Sequence, residues 1–174
     1  PQRPYGIGKL AQERLLASAA AATPGLSAHI YRPATVYGFQ AGGRMGLIPV
    51  LILNGLSGRT STIIGRADTI RDYVAAEDVA RFLGDRVQQL APAAPAPFLL
   101  ASGRPAPLGE IVAETESLLG TRLYLRYDPR PSNSANMSFR PSAIPAELKP
   151  VDIRSGIRRV AEAVRSHAFR PQHG

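Results

Sequence analysis

Segments with helical spacing of apolar residues alternate along this chain with short apolar segments that are typical of strands. Between residues 77 and 90, apolar side chains recur at steps of three and four, the spacing of one buried helix face. Helices are also predicted at 5–22, 45–56, 108–119 and 153–164. Strands are predicted at 28–32, 60–64, 71–74, 98–101 and 123–127. This alternation favours an α/β fold.

Proline and glycine positions indicate where these elements are joined by loops. Pro33 has no N–H to donate, so the strand at 28–32 is predicted to end there and to continue as a loop through 38–43. Further loops are predicted at 91–97, which is rich in Pro and Ala, and at 128–142, which has no periodicity. Because α/β proteins bind ligands beyond strand ends, the loop after Pro33 is the first candidate site.

The composition is that of one domain with a real core: 174 residues, of which 44% are hydrophobic. No apolar stretch approaches the ~20 residues needed to cross a bilayer, so we expect no membrane partner and, by default, a cytoplasmic location. The absence of cysteine excludes disulfides and thiolate chemistry. His29, His167 and His173 lie far apart with no carboxylate at ligand spacing, so no metal site is predicted.

The net charge of +8 is concentrated in the last third of the chain. Up to Gly120 there are 11 Lys and Arg against 9 Asp and Glu, and after it 10 against 4. A basic tail of this kind suits nucleic acid, an anionic small substrate or a solvated surface. No aromatic residues are interleaved as a base-stacking surface requires, so nucleic acid is not expected as a partner, and the other two interpretations stay open.

The first candidate for chemistry is the pair Tyr5 and Lys9 at the start of the first predicted helix. Residues four apart lie on one helix face within side-chain reach. A phenol with a pKa of ~10 is a poor base at neutral pH, and a nearby ammonium favours its ionised form. Such a pair also occurs on ordinary helix surfaces, so the rest of the sequence must decide.

Several motifs follow the Tyr-x-x-x-Lys pair in a fixed order. They are Arg-Pro-Ala-Thr-Val-Tyr-Gly at 32–38, Ile-Pro at 48–49, Ile-Gly at 64–65, Arg-Asp-Tyr-Val at 71–74 and Asp-Val-Ala at 78–80. Together they resemble the extended short-chain dehydrogenase/reductase family, in its NAD-dependent sugar-nucleotide epimerase/dehydratase branch. The resemblance continues through Ala-Ser-Gly at 101–103 and Arg-Pro at 130–131, so it covers nearly the whole chain.

The resemblance implies a catalytic role for Tyr5 as acid/base toward a sugar hydroxyl, and for Lys9 as the residue that lowers the Tyr5 pKa and holds the nicotinamide ribose. The cofactor is NAD or NADP in the complete protein, and the sequence leaves that choice open. The expected cofactor-binding residues are Tyr5, Lys9, Arg32, Pro33, Ala34 and Thr35.

The resemblance also implies a substrate site for a nucleoside-diphosphate sugar. Arg71 and Arg130 are expected to bind its diphosphate, since a guanidinium offers a two-donor fork to phosphate oxygens. Thr35 and Ile48 are the other expected substrate contacts. An ion pair of Arg71 with Asp72 or Asp78 is the alternative for that residue, and Arg130 has a plain surface position as its alternative.

The expected fold is α/β, namely the C-terminal part of a Rossmann-like doubly wound parallel sheet with a small α/β substrate-binding lid. Residues 1–44 would form the end of the Rossmann-like domain with the Tyr/Lys helix, and 45–174 mainly the substrate-binding region, with 75–101 returning to the sheet. The family's first half carries the glycine-rich turn that cradles the cofactor pyrophosphate, and no such turn is found in this sequence. The isolated chain is therefore expected to be inactive.

The expected function is NAD(P)-dependent oxidation and reduction of a nucleoside-diphosphate sugar that leads to epimerisation or dehydration. The complete protein is expected to be a homodimer through the Tyr-bearing helix. One alternative is a reductase or decarboxylase that acts on another carbonyl or a sterol-like substrate. Another is a non-catalytic or partner-dependent remnant that lacks the cofactor-binding half.

Overall fold

The computed structural model describes residues 4–89, 97–128 and 136–168. Over these residues the chain forms α-helices and short strands that alternate much as the hydrophobic pattern predicts. The helices are α1 (Pro4–Ala22), α2 (Leu47–Leu56), α3 (Ala76–Gln88), α4 (Leu108–Leu119) and α5 (Ile153–Ala168), with a 3-10 turn at Pro141–Ala143. The strands are β1 (Tyr31–Pro33), β2 (Thr35–Tyr37), β3 (Ser61–Ile64), β4 (Ile70–Ala75), β5 (Phe98–Leu100), β6 (Pro105–Pro107) and β7 (Leu125–Asp128).

Most strand pairs are parallel, as the predicted α/β class requires. Strand β1 pairs with β5, β2 with β4, and β3 with β7, all in parallel, while β6 is antiparallel to β4. The chain passes from the first pair to the second at Ala34, whose N–H donates to the Leu100 carbonyl at 2.8 Å. The segment 31–37 therefore forms two strand pairings in succession, with Ala34 between them.

The prediction of a loop directly after Pro33 was wrong, because the chain continues there as strand β2. Pro33 is the last residue of β1, where a missing N–H is tolerated. Thr35, Val36 and Tyr37 are β-branched or aromatic residues that suit a pleated surface, and Tyr37 is buried. The strands predicted at 60–64 and 71–74 are confirmed as β3 and β4. They do not pair with each other: β3 pairs with β7, and β4 pairs with β2 and β6.

The main core lies where α2 packs against α4 and α5. Helix α2 is apolar on nearly all sides, which is typical of a helix enclosed by other elements. Its Leu51 and Ile52 are fully buried together with Ile111 of α4 and Ile157 of α5. Full burial of such a side chain stabilises by roughly 1.5–3 kcal/mol, so this helix cluster is a main source of the stability of the fold.

Helix α1 differs from the others because none of its residues is buried. Tyr5 is 79% exposed and Leu15 is 71% exposed, and Ile7 and Leu16 are exposed as well. The described residues therefore leave the apolar side chains of α1 uncovered.

Among the described helices, none has both the length and the hydropathy to span a bilayer. The predicted linker at 91–97 lies outside the described residues except for Pro97, and so do residues 129–135 of the predicted loop at 128–142. The division into residues 1–44 and 45–174, with 75–101 returning to the sheet, stays a prediction.

Candidate functional site

An open groove lies between the first three turns of α1 and strand β1. It encloses about 1000 Å³ of space that is continuous with solvent. The residues that line it are Tyr5, Gly6, Lys9, Leu10, Glu13, Tyr31, Arg32 and Pro33. Four of the predicted site residues therefore line one groove. Two of them lie on α1 and two on β1, namely Tyr5, Lys9, Arg32 and Pro33.

Tyr5 and Lys9 form the α1 wall of this groove. Because they are four residues apart on one helix, the Lys9 Nζ lies 5.9 Å from the centre of the Tyr5 ring. That distance is within the ~6 Å over which an ammonium and an aromatic ring attract each other. The same Nζ donates a hydrogen bond to Gln12 Oε1 at 3.1 Å. The phenol is open to solvent, so a ligand in the groove would reach both groups.

Arg32 forms a two-pronged ion pair with Glu13 that joins β1 to α1. Its Nε lies 2.9 Å from one carboxylate oxygen of Glu13 and its Nη2 lies 2.5 Å from the other. The hydrogen bond from Arg32 lowers the pKa of Glu13, and the same bond raises the pKa of Arg32. This contact joins α1, which carries Tyr5 and Lys9, to the strand that carries Pro33. A cofactor contact by Arg32 stays a prediction.

Ala34 and Thr35 continue the segment beyond the groove. Ala34 is anchored to Leu100 through its N–H. Thr35 is partly buried on β2, and its register partner on β4 is Tyr73. Their predicted contacts with the cofactor, and with the substrate for Thr35, also stay predictions.

Arg71 lies on β4, on the same face of the sheet as Thr35. It precedes Tyr73 by two residues, and alternate residues of a strand point to one face. The rise of ~3.3 Å per residue and the strand spacing of ~4.8 Å put the Cα atoms of Arg71 and Thr35 about 8 Å apart. Arg71 is partly buried, and its Nη1 donates to the carbonyl of Ile70 at 2.9 Å.

Tyr37 and Tyr73 occupy the same sheet face, with ring centres 6.4 Å apart in an edge-to-face contact. Burial raises the pKa of Tyr37 to about 12, with a further contribution from Asp78, and burial also raises the pKa of Tyr73. Both phenols are therefore neutral near pH 7 and enclosed by protein. Of these three tyrosines, only Tyr5 combines exposure with a neighbouring ammonium.

Two predicted substrate residues have other surroundings. Ile48 is 1% exposed and belongs to the core formed by α2, so its side chain is enclosed by protein. Arg130 lies outside the described residues.

The acidic residues considered as partners of Arg71 make hydrogen bonds elsewhere. Asp72 accepts from the N–H and the hydroxyl of Ser102 and from the N–H of Gly103. Asp78 lies in the first turn of α3, as predicted, where its carboxylate contacts Arg81 at 3.1 Å and accepts the N–H of Val151 at 2.8 Å. The two aspartates thus tie together distant parts of the chain.

Sequence reasoning missed Glu13 as part of the groove. Lys9 precedes Glu13 by four residues, which favours a pair within the helix, whereas the structure pairs Glu13 with Arg32, 19 residues away. A contact at that separation leaves no local signal. Within the described ranges, no group of three His, Cys, Asp or Glu residues is arranged to hold a metal ion.

Among solved structures, MoeE5 in complex with UDP-glucuronic acid and NAD is 29% identical to this chain, with a TM-score of 0.81, and covers 96% of this chain and 57% of its own. The UDP-glucose 4-epimerase of Thermotoga maritima is 23% identical with a TM-score of 0.78, covering 97% of this chain and 55% of its own. The UDP-glucuronic acid 4-epimerase of Bacillus cereus is 19% identical with a TM-score of 0.81, covering 96% and 54%. These likenesses confirm the Rossmann-type α/β fold, and the chain spans about half the length of each.

A search among curated proteins found no match. The sequence model of the NAD dependent epimerase/dehydratase family matches residues 1–90, which is more than half of the chain and includes the Tyr5–Lys9 pair, the segment 32–38 and strand β4. The groove geometry, the fold and this match agree: the chain belongs to the NAD-dependent epimerase/dehydratase family.

Proposed function

We propose that this chain supplies the acid/base and substrate-binding half of an enzyme that oxidises and re-reduces a nucleoside-diphosphate sugar, which leads to epimerisation or dehydration. The observation that carries the proposal is the Tyr5–Lys9 pair on the wall of an open groove, in a chain of this family.

We propose that the groove binds a nicotinamide nucleotide, NAD or NADP. It offers an ammonium donor, Lys9, on one wall and an apolar ring, Pro33, on the other, within about 1000 Å³ of open space. Lys9 would donate to the ribose hydroxyls, and Pro33 would pack against the flat ring, with Arg32, Ala34 and Thr35 extending that wall. The bound nucleotide supplies the chemistry of accepting a hydride and returning it.

Tyr5 would exchange a proton with the sugar. The Tyr5 Oη would accept the proton of the sugar hydroxyl when that carbon is oxidised, and it would return the proton when the carbonyl is reduced. The Lys9 Nζ lies 5.9 Å from the centre of the Tyr5 ring, so a proton-exchanging phenol and an ammonium donor face the same groove. Tyr37 and Tyr73 are unsuited to this role because they are buried and their pKa values are raised.

Arg71 would bind the diphosphate of the substrate. A partly buried guanidinium has several N–H donors, and one of them is directed to the Ile70 carbonyl. Arg71 shares a sheet face with Thr35, so a diphosphate bound by Arg71 would lie on the same face as the segment beside the cofactor. MoeE5 and the Bacillus cereus epimerase were solved with UDP-glucuronic acid, and the Thermotoga maritima epimerase with UDP-glucose. We propose Arg130 as a second diphosphate contact, whereas the enclosed side chain of Ile48 supports the fold of α2.

The exposed apolar side chains of α1 support a second proposal, that the chain acts only with a covering partner. Ile7, Leu15 and Leu16 would be covered by a cofactor-binding half, or by the equivalent helix of a second copy in a homodimer. In this reading the isolated chain is inactive. Addition of a separately produced cofactor-binding half would then restore turnover. If no such combination is active, the alternative of a non-catalytic remnant is supported.

The test is turnover by the full-length protein with UDP-glucose or UDP-glucuronic acid and added NAD. Tyr5→Phe removes the proton-exchanging oxygen and should lower kcat by about 100-fold or more. Tyr124→Phe is the matched control, since Tyr124 is also exposed and does not line the groove. Turnover that is equal in the Tyr5→Phe variant and its parent would refute the assignment of Tyr5.

A further inference from the structure

The backbone beside Arg71 is held by a residue that is distant in sequence. The Ile70 N–H donates to the side-chain oxygen Oδ1 of Asn136 at 3.0 Å, across 66 residues. The Ile70 carbonyl accepts the N–H of Met137 at 3.0 Å and the Nη1 of Arg71 at 2.9 Å. Both peptide groups of Ile70 are therefore fixed by the segment at 136–137, and one of them holds the guanidinium.

The other neighbour of Arg71 is fixed even more firmly. Asp72 is fully buried and accepts the N–H and hydroxyl of Ser102 at 2.6 and 2.8 Å and the N–H of Gly103 at 2.9 Å. Gly103 has a φ of 72°, a conformation that favours glycine and turns its N–H toward the carboxylate. Neighbouring residues of a strand point to opposite faces of the sheet. The contacts of Asp72 with Ser102 and Gly103 therefore fix β4 on the face opposite to Arg71.

We propose that Asn136 is a positioning residue for Arg71: by accepting the Ile70 N–H, it anchors the backbone at Ile70, whose carbonyl orients the Arg71 guanidinium toward a diphosphate group. This inference rests on the proposed function, in which Arg71 binds the diphosphate of a nucleotide sugar.

The physical reason is the entropy of a long side chain. An arginine that is free to rotate loses rotamer freedom when it binds a ligand, whereas one that is already fixed loses less. Without the Asn136 oxygen, the Ile70 N–H lacks its acceptor, and the backbone at Ile70 is held to this segment by the Met137 N–H alone. Substrate binding should weaken, and the proton exchange at Tyr5 should be unaffected.

The experiment is calorimetric titration of the full-length protein with UDP. The variants are Asn136→Leu, Arg71→Gln and the double variant. Asn136→Leu should weaken UDP binding by about 3- to 30-fold, which lies within the range expected for residues coupled by contact. Arg71→Gln should weaken it more, and the double variant should bind no more weakly than Arg71→Gln alone, since Asn136 acts only through Arg71. In turnover assays, KM should rise in Asn136→Leu with kcat unchanged.

Two controls separate positioning from general stability. Asn136→Ser keeps an uncharged side-chain oxygen that can accept a hydrogen bond, so its affinity should stay nearer to that of the parent than the affinity of Asn136→Leu does. Asn54→Leu removes a side-chain hydrogen bond to Ser61 at the end of α2, so it should lower thermal stability and leave UDP affinity unchanged. If Asn136→Leu unfolds, Asn136→Ala makes the same test with a smaller change.

Three results would overturn the inference. Unchanged UDP affinity in Asn136→Leu would show that Arg71 needs no such support. Additive losses in the double variant would show that Asn136 acts on the fold as a whole. A parent protein that binds no UDP would remove the proposed function and this inference together, whereas in the first two results UDP binding through Arg71 survives.

Discussion

Gly156 offers the sharpest test of how α5 is packed. It is buried in the first turns of that helix, and a Cβ added there would lie 1.7 Å from the Tyr37 hydroxyl oxygen and 2.7 Å from the carbon that bears it. Ordinary contacts at such a position are 3.4 Å or longer. The substitution Gly156→Ala therefore requires Tyr37 or the whole helix to move.

The expected loss follows from two opposing terms. Alanine in a helix interior is favoured over glycine by about 1 kcal/mol. Overpacking costs about 1–3 kcal/mol, and a conflict this severe belongs at the upper end. The net loss is about 2 kcal/mol, which lowers Tm by roughly 4–8 °C for a chain of this size. Thermal unfolding followed by circular dichroism measures it.

Gly84→Ala is the matched control, because Gly84 lies in α3, is exposed and has nothing within 4 Å of an added Cβ. It should raise the free energy of unfolding by roughly 0.5–1 kcal/mol through helix propensity alone. If Gly156→Ala raises Tm as Gly84→Ala does, the contact between Tyr37 and α5 is wrong. In a Tyr37→Phe background the loss at Gly156 should shrink without vanishing, since the ring carbon still lies 2.7 Å from the Cβ.

Other substitutions test individual contacts by simpler changes. Tyr37→Phe alone removes a buried hydroxyl that has no hydrogen-bond partner among the described residues, so unfolding in urea should show unchanged or raised stability, and a clear loss would contradict the packing. Asp72 accepts three hydrogen bonds, and Asp72→Asn replaces one accepting oxygen by an NH₂ group, so it should lower the free energy of unfolding by about 1–3 kcal/mol. Asp68→Asn breaks only the exposed ion pair with Arg66 and should change the free energy of unfolding little. The pKa of Glu13 is lowered in the folded chain, so its ion pair with Arg32 stabilises the fold fully at pH values above the ordinary Glu pKa of 4.5, and this stabilisation is lost as the pH falls through the folded pKa. Amide hydrogen exchange in α1, corrected for the intrinsic exchange rate, should therefore increase in acid in the parent. In Glu13→Gln the corrected rate should not depend on pH.

The helices could be predicted from sequence because each has a strong local pattern. Leu108–Leu119 has its predicted bounds, closed by Gly120 in the left-handed conformation, and α1 begins one residue before its predicted start. Strand β6 was missed because it has three residues, two of them proline, and forms only through its pairing with β4. Short strands of this kind depend on a partner that the local sequence does not specify.

The candidate site divides in the same way. The spacing of Tyr5 and Lys9 predicts their shared face, and the motif order predicts that the segment at 32–35 and Arg71 belong with them. The supporting contacts could not be predicted, since Glu13–Arg32, Asp72–Ser102 and Ile70–Asn136 span 19, 30 and 66 residues. For Ile48 the motif was not enough to predict a role, because a hydrophobic residue in a family motif can either contact the substrate or belong to the core. In the structure Ile48 belongs to the core around α2.

The two halves of the proposed site rest on supports of different strength. Tyr5 and Lys9 lie on a helix with no buried residue, joined to β1 by an ion pair that is partly exposed to water. Such a pair contributes little stability, and the placement of the catalytic wall therefore depends on whatever covers α1. Arg71 instead lies on a strand held by a fully buried carboxylate and by the Asn136 contact. Substrate binding should thus survive conditions in which α1 is displaced, and catalysis should be lost first.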